Sequence, residues 1–147
     1  MAIPSISNER RELIEEINEA LYYLVWRYRQ QAAQQLAPLG INLQGALVLV
    51  LIEREQLHPR ALSEALDLAP PAVSHLLTDF EERGLITRSL DAEDRRRVRL
   101  ELTDAGRALL KQAMASWNEL NAAKIASLSE RESIAFRDLL RKILESA

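Results

Sequence analysis

The sequence contains no cysteine and few residues that interrupt regular structure, with four glycines and five prolines among its 147 residues. The lack of cysteine excludes disulfide bonds, thiolate metal ligands and a cysteine nucleophile. No apolar run approaches the ~20 residues of a membrane-spanning helix, which predicts a soluble protein. The first residues form neither a basic leader nor an apolar export segment, so we expect a cytoplasmic location.

The net charge is small, at −3, although 28% of the residues are charged. A polyanion such as DNA would therefore have to bind to a local basic patch rather than to the molecule as a whole. The length and a hydrophobic fraction of 48% fit a single domain over residues 1–147.

Long segments with apolar residues at steps of three or four predict a mainly helical chain. The first such segment begins at Ser7 or Asn8 and stops at residues 38–40, where proline and glycine interrupt it. Asn42 is placed to cap a second apolar helix.

Two further predicted helices are close together in the sequence. One opens at residues 58–60, and the other starts at Pro70 and Pro71 and has Gly84 as its C-terminal cap. Two helices joined by a tight turn are the outline of a helix-turn-helix motif. The apolar stripe of the second helix must face the core, which leaves a set of small and polar residues on its outer surface. This outer face comprises Pro71, Ala72, Ser74, His75, Thr78 and Asp79.

The spacing of apolar residues changes to every second residue at 97–103, which predicts a β-strand. Residues 86–90 can pair with this strand and form a hairpin directly after the helix-turn-helix. Thr103 is placed to cap a following helix, and Ser129 with Glu132 has the spacing of a capping box before a last helix.

The hairpin and its approach are basic. The stretch from Arg83 to Arg99 contains six arginines and three acidic residues, so its net charge is +3. The net charge of the remaining residues is therefore −6. Phosphate contacts release counterions and supply most nonspecific DNA affinity, so this distribution fits a protein that contacts DNA with one surface. Arginine suits this role because its planar, weakly hydrated guanidinium fits a narrow minor groove. The alternative is an ordinary surface hairpin whose acids neutralise its arginines.

Four segments carry a family resemblance through their order and spacing. They are Ala69-Pro70-Pro71-Ala72-Val73-Ser74-His75-Leu76-Leu77, Leu85-Ile86-Thr87-Arg88, Asp91-Ala92-Glu93-Asp94-Arg95-Arg96 and Leu102-Thr103-Asp104-Ala105-Gly106. Together they resemble the MarR family of bacterial winged helix-turn-helix transcriptional regulators. The resemblance extends along nearly the whole chain and implies a mainly α fold with a small β-hairpin wing and a helical dimerisation region.

The resemblance implies a DNA-binding regulator, a repressor rather than an activator, that binds a pseudo-palindromic operator as a homodimer. About residues 43–103 would form the winged helix-turn-helix, and about residues 5–38 and 104–146 the dimerisation part. The apolar stripes of the terminal helices lead to the same expectation independently, because they need a partner and a second copy supplies one.

Each predicted DNA contact has a role. Affinity would come from Arg88, Arg95, Arg96 and Arg97 and from backbone amides near Pro71 and Ala72. Selectivity would come from Ser74, His75, Thr78 and the wing arginine. The resemblance implies that this wing arginine, Arg96, enters the minor groove and that Asp94 orients the wing. The sequence departs from many relatives at His75, where they carry arginine.

Relatives often bind a small aromatic or phenolic effector between the dimerisation helices and the DNA module. The candidate lining residues here are Tyr22, Tyr23 and Trp26, with Arg27 as an anion partner. An aromatic cluster at helical spacing is more often part of a core or a dimer interface.

The sequence lacks the patterns of catalytic sites. His58 and His75 do not have the spacing of metal ligands, and neither a glycine-rich phosphate loop nor a Gly-x-Ser-x-Gly motif is present. Asp91 and Asp94 lie on a solvated hairpin tip, which is a poor site for acid-base catalysis. We therefore predict no enzymatic activity, no metal and no cofactor. The alternative function is a winged-helix module for protein contacts without specific DNA binding.

Overall fold

The computed structural model describes residues 7–56 and 58–146. Its elements are α1 (Asn8–Leu36), a 3-10 turn (Ala37–Leu39), α2 (Leu43–Glu55), α3 (Pro59–Leu66), α4 (Pro70–Glu82), β1 (Ile86–Leu90), β2 (Val98–Leu102), α5 (Asp104–Ile125) and α6 (Glu130–Glu145). The predicted mainly helical fold with a two-stranded wing is confirmed. Residues 5 and 6 of the predicted dimerisation part lie outside the described residues. Among the described helices, no single one has the length and hydrophobicity of a membrane span.

Side chains cap the helices where the sequence indicated. Asn42 Oδ1 accepts a backbone hydrogen bond of 2.8 Å at the start of α2, and Thr103 Oγ1 accepts one of 3.1 Å at the start of α5. Ser129 and Glu132 form the predicted capping box of α6. His58 caps α3 through Nδ1, which accepts a backbone hydrogen bond of 3.2 Å. These bonds determine where each helix begins.

Helices α3 and α4 form the helix-turn-helix and pack on the centre of the molecule. Asp67 ends α3 in the left-handed conformation, with φ of 49°, and α4 starts three residues later. Leu62 of α3 and Leu77 and Phe80 of α4 are at most 1% exposed and share one core with Leu49 of α2. This packing leaves the opposite face of α4 open to solvent.

Strands β1 and β2 form an antiparallel hairpin that runs from the pair Ile86 and Leu102 to the pair Leu90 and Val98. Leu100 and Leu102 are buried, and Arg99 and Glu101, which alternate with them in β2, are exposed, so the predicted alternation is confirmed. The loop between the strands forms the wing tip.

The wing is joined closely to the start of α5. Thr103 N donates to Leu85 O at 3.0 Å, and Thr103 Oγ1 donates to Gly84 O at 2.6 Å. A Cβ at Gly106 would lie 2.0 Å from Leu85 O, which is closer than any side chain tolerates. Glycine at position 106 therefore allows α5 to approach the backbone directly before β1.

Helices α1 and α6 contribute little to the core of the single chain. In α1 only Ala32 and Leu36 are buried, and no residue described in α6 is buried. Exposed apolar side chains along the two helices include Leu13, Ile17, Leu21 and Leu24 in α1 and Phe136, Leu139, Leu140, Ile143 and Leu144 in α6. Contiguous apolar surface of this kind marks an interaction site.

Candidate nucleic-acid interface

The predicted contact residues of α4 lie on one face. Pro71, Ala72, Ser74, His75 and Thr78 are all exposed. The residues between them, Val73 and Leu77, are buried, because side chains three and four positions apart share one side of a helix. The structure thus brings the predicted helix residues together on an open surface.

The backbone amides at the start of α4 are used within its first turn. Pro70 and Pro71 have no N–H group to donate. Ala72 N donates to Ala69 O at 2.9 Å, and Val73 N donates to the same oxygen at 3.3 Å. The contribution of backbone amides near Pro71 and Ala72 to DNA binding stays a prediction.

Arg88 connects the wing to α4. Its Nη2 donates to Thr78 Oγ1 at 3.1 Å, and its Nε lies 2.9 Å from Glu81 Oε2. The Arg88 side chain is only 28% exposed. Arg88 was predicted to bind DNA, and its pairing with Glu81 was not predicted, because no sequence pattern reports a contact between a helix and the strand that follows it. An arginine paired in this way has less charge to offer a phosphate.

Two aspartates shape the wing tip. Asp91 Oδ1 accepts hydrogen bonds from Glu93 N at 2.8 Å and Asp94 N at 3.3 Å. These two backbone bonds hold the pKa of Asp91 below its ordinary value. Asp94 Oδ1 accepts one from Arg96 N at 3.0 Å. This geometry supports the predicted orienting role of Asp94 and adds Asp91, which the sequence analysis had considered only as a catalytic acid.

The six arginines of the basic stretch fall into two groups. Four are ion-paired: Arg83 with Asp79 at 3.2 Å, Arg88 with Glu81 at 2.9 Å, Arg97 with Asp94 at 3.5 Å and Arg99 with Glu101 at 2.7 Å. Within residues 7–56 and 58–146, Arg95 and Arg96 take part in no ion pair, and both are exposed. Both arginines of the basic stretch that lack an ion pair are therefore at the wing tip.

A groove of about 600 Å³ lies between the wing and the start of α3. Arg96 and Arg97 line it from the wing, and Arg60 lines it from α3. The Arg60 side chain is 86% exposed and lies 3.1 Å from Glu64. Arg60 was not predicted as part of this surface, because it is a single basic residue outside the basic stretch.

A separate cavity of about 320 Å³ lies between the end of α1, α2 and α5. It is lined by Ala32, Gln35, Leu36, Leu43, Ala46, Leu47, Val50, Ala113, Met114, Ser116, Trp117 and Leu120. Gln35 and Ser116 are the polar members of this mainly apolar wall. Behind it, the rings of Tyr28 and Trp117 lie 5.7 Å apart.

The predicted effector residues lie elsewhere. Tyr22, Tyr23 and Trp26 are each more than half exposed, and Tyr22 and Tyr23 contact each other edge to face at 5.8 Å. Trp26 borders a shallow depression next to Arg29. In the described chain, neither these three residues nor Arg27 lines the cavity between α1, α2 and α5. Their role in effector binding stays a prediction.

Known proteins share this architecture. The MarR family model matches residues 39–97, from the turn before α2 into the wing. The transcriptional repressor MdtR of Bacillus subtilis is 23% identical over 137 residues, which are 92% of this chain and 88% of that protein. The MepR–DNA complex of Staphylococcus aureus has a TM-score of 0.72 and 27% identity, covering 88% of this chain and 97% of MepR. The chain is thus similar to MarR family regulators in its winged module and in its overall fold.

A second solved MarR family protein is similar over the same extent. Rv2887 of Mycobacterium tuberculosis, in complex with p-aminosalicylic acid, has a TM-score of 0.71 and 25% identity, and covers 86% of this chain and 96% of Rv2887. The resemblance to the MarR family drawn from the four sequence segments is thus confirmed. The similarity to the two solved structures covers 88% and 86% of this chain and so extends beyond the winged module.

Proposed function

We propose that this protein is a transcriptional repressor of the MarR type that binds a pseudo-palindromic DNA operator as a homodimer. The observation that carries the proposal is that Arg95 and Arg96, exposed and without an ion pair among the described residues, lie in the same module as the exposed face of α4. In this arrangement α4 contacts the major groove and the wing contacts the adjacent minor groove. The relatives support it, because MdtR is a repressor and MepR was solved with DNA.

The wing and α4 have different roles in DNA binding, because the wing supplies most of the affinity and α4 contributes to sequence selectivity. Arg95 and Arg97 contact phosphates, and Arg96 enters the minor groove from a tip that Asp94 holds in place. The α4 residues Ser74, His75 and Thr78 face the base edges. The small side chains of Pro71 and Ala72 allow the helix to approach the duplex closely.

The homodimer follows from the apolar surfaces of α1 and α6. Neither helix finds enough partners within its own chain, and a second copy related by a two-fold axis would cover both. Such a dimer places its two α4 helices roughly 34–36 Å apart, which is one helical turn of DNA. Each helix can then bind one of two half-sites with this spacing. The symmetry of the operator then reflects the symmetry of the protein.

A salt-dependent binding assay tests this proposal. The purified protein is titrated against the DNA upstream of its own coding sequence and against a scrambled duplex of equal length. We expect a clear preference for the first duplex and an affinity that falls steeply between about 50 and 200 mM salt. Equal, weak binding to both duplexes would favour a protein-interaction module instead.

The cavity between α1, α2 and α5 is the site that we assign to a small aromatic effector. Its apolar wall suits a ring, and Gln35 and Ser116 offer hydrogen bonds to a polar substituent. Rv2887 was solved with p-aminosalicylic acid, which is a compound of this class. The cavity lies between the dimerisation helices and the winged module, so a bound ligand can change their relative position.

Release of DNA requires that the effector prefers the form whose α4 helices are wrongly spaced for the operator. We expect p-aminosalicylic acid to raise the melting temperature of the free protein and to weaken operator binding. If the compound does neither at millimolar concentration, the assignment of this cavity to aromatic acids is wrong.

A further inference from the structure

The hydroxyl group of Thr78 is held from two sides. It donates a hydrogen bond to Ser74 O at 2.9 Å, one turn earlier in α4, and accepts one from Arg88 Nη2 at 3.1 Å. Its single proton and one acceptor position are thus used inside the protein. The other branch at Cβ is a methyl group, and Thr78 lies on the exposed face of α4.

The Arg88 guanidinium bonds to the hydroxyl group that sets the side-chain conformation of Thr78. A threonine in a helix divides between two χ1 rotamers, because Oγ1 can bond to a carbonyl of the preceding turn. Arg88 is ion-paired with Glu81, whose Oε2 lies 2.9 Å from its Nε, and its side chain is 28% exposed. Because Oγ1 is bonded to Ser74 O and to Arg88 Nη2, the methyl group is the branch of Thr78 that makes no hydrogen bond.

We propose that Thr78 recognises a thymine through its methyl group and that Arg88 is a positioning residue for this contact. The inference rests on the proposed function, since it concerns the same DNA-binding face. Contact between a threonine methyl and the C5-methyl of thymine is a direct way to identify this base in the major groove. A threonine with a free hydroxyl group would bond to several bases and lose the distinction.

The test uses a duplex that the wild-type protein selects from a random library. Each thymine is then replaced, one at a time, by deoxyuridine, which lacks only the C5-methyl group. We expect the wild-type protein to lose about fourfold in affinity at one thymine in each half-site. Thr78→Ser removes the protein methyl and abolishes this loss. Thr87→Ser, the same change at an exposed threonine of β1, retains it.

Arg88 is tested by loss and rescue. In Arg88→Met the Thr78 hydroxyl is released, so the variant binds thymine and deoxyuridine duplexes equally. The double variant Arg88→Met with Thr78→Val recovers the preference, because valine carries a methyl on both branches and has one strongly preferred rotamer in a helix. If Arg88 had only a structural role, Arg88→Met would lower the affinity for both duplexes by the same factor and the preference for thymine would remain. The added Thr78→Val change would then not restore the lost affinity.

Two results separate this inference from the proposed function. Specific binding of a selected duplex without any difference between thymine and deoxyuridine overturns the inference alone. Failure of the wild-type protein to select any duplex overturns the inference and the proposed function together. A Thr78→Ser variant that still distinguishes the two bases also overturns the inference, and it does so without any change to the buried part of the module.

Discussion

Arg97 Nε lies 3.5 Å from Asp94 Oδ2, so the wing neutralises part of its own positive charge. Arg97 N also donates to Asp94 O at 2.9 Å, which closes the turn that presents Arg95 and Arg96. Asp94 thus orders the wing tip and also pairs with Arg97. The wing arginines that keep no ion pair among the described residues are Arg95 and Arg96, at the end of the wing.

We expect Arg96→Ala to weaken operator binding by roughly 1–3 kcal/mol and to leave the fold unchanged. The reason is that Arg96 is exposed at the wing tip, so its removal disturbs no internal contact. A fluorescence anisotropy titration at fixed salt measures the effect. Arg99→Ala is the matched control, since Arg99 is ion-paired with Glu101 at 2.7 Å and should matter less. Equal losses in the two variants would contradict the assignment of Arg96.

The wing tip should lose order in acid. The pKa of Asp91 is lowered by hydrogen bonds from the amides of Glu93 and Asp94. Ionised Asp91 therefore stabilises the turn above the ordinary carboxyl pKa of 3.8, and this contribution disappears as the pH falls through the lowered value. Amide chemical shifts of Glu93 and Asp94, followed by NMR from pH 6 downward, measure the transition.

Asp91→Ala should remove this transition and loosen the tip at neutral pH, with weaker operator binding as the consequence. Asp91→Asn keeps an oxygen acceptor and is expected to retain most of the order. Identical spectra of the wild-type protein and Asp91→Ala in the wing would show that the two bonds do not shape the tip.

The apolar surface of α6 should be necessary for dimerisation. Ile143 is 64% exposed in the single chain, and Ile143→Glu would place two carboxylates against the partner, once per copy. We expect analytical ultracentrifugation to show the mass of one chain instead of two, together with loss of high-affinity operator binding. Lys142→Glu, on the neighbouring polar side of α6, should remain dimeric. A dimeric Ile143→Glu variant would place the interface elsewhere.

Leu47→Trp should block the effector cavity. Leu47 lines this cavity and is 44% exposed, so a larger side chain fills the space without entering the core. For the wild-type protein, p-aminosalicylic acid at about 100 times its Kd should add roughly 2.7 kcal/mol of stability. Calorimetric melting curves should show no such gain for Leu47→Trp.

Trp26→Ala separates the cavity from the aromatic cluster that the sequence indicated. If the cavity is the site, this variant responds to the ligand like the wild-type protein. If Trp26→Ala loses the stabilisation by the ligand and Leu47→Trp keeps it, the cluster of Tyr22, Tyr23 and Trp26 is favoured as the binding site.

Two glycines should differ in their tolerance of alanine. Gly84 has φ of 71°, and a Cβ there meets nothing within 4 Å, so Gly84→Ala should reduce the free energy of unfolding by about 1–2 kcal/mol. At Gly106 a Cβ would lie 2.0 Å from Leu85 O. Gly106→Ala should therefore be the more destabilising change, because a helix must move away from a strand. Urea unfolding measures both, and the opposite order would contradict the close approach.

Much of the fold could be predicted because its signals are local. Asn42 and Thr103 cap helices through bonds to residues three positions away, and the alternation of β2 depends on nearest neighbours. The α4 face was predictable for the same reason. The partner of Arg88 and the walls of the effector cavity could not be predicted, because they combine residues from separate elements.

The sequence by itself determined the order of the elements, the exposed face of α4 and the stretch in which positive charge gathers, since each depends on residues within about two helical turns of one another. Only the tertiary structure decided which charges remain available. Packing of β1 beside α4 brings Glu81 to Arg88, and the turn of the wing brings Asp94 to Arg97, while Arg95 and Arg96 receive no such neighbour among the described residues. The physical reason is that a charge is compensated by what lies near it in space, and folding alone sets those distances.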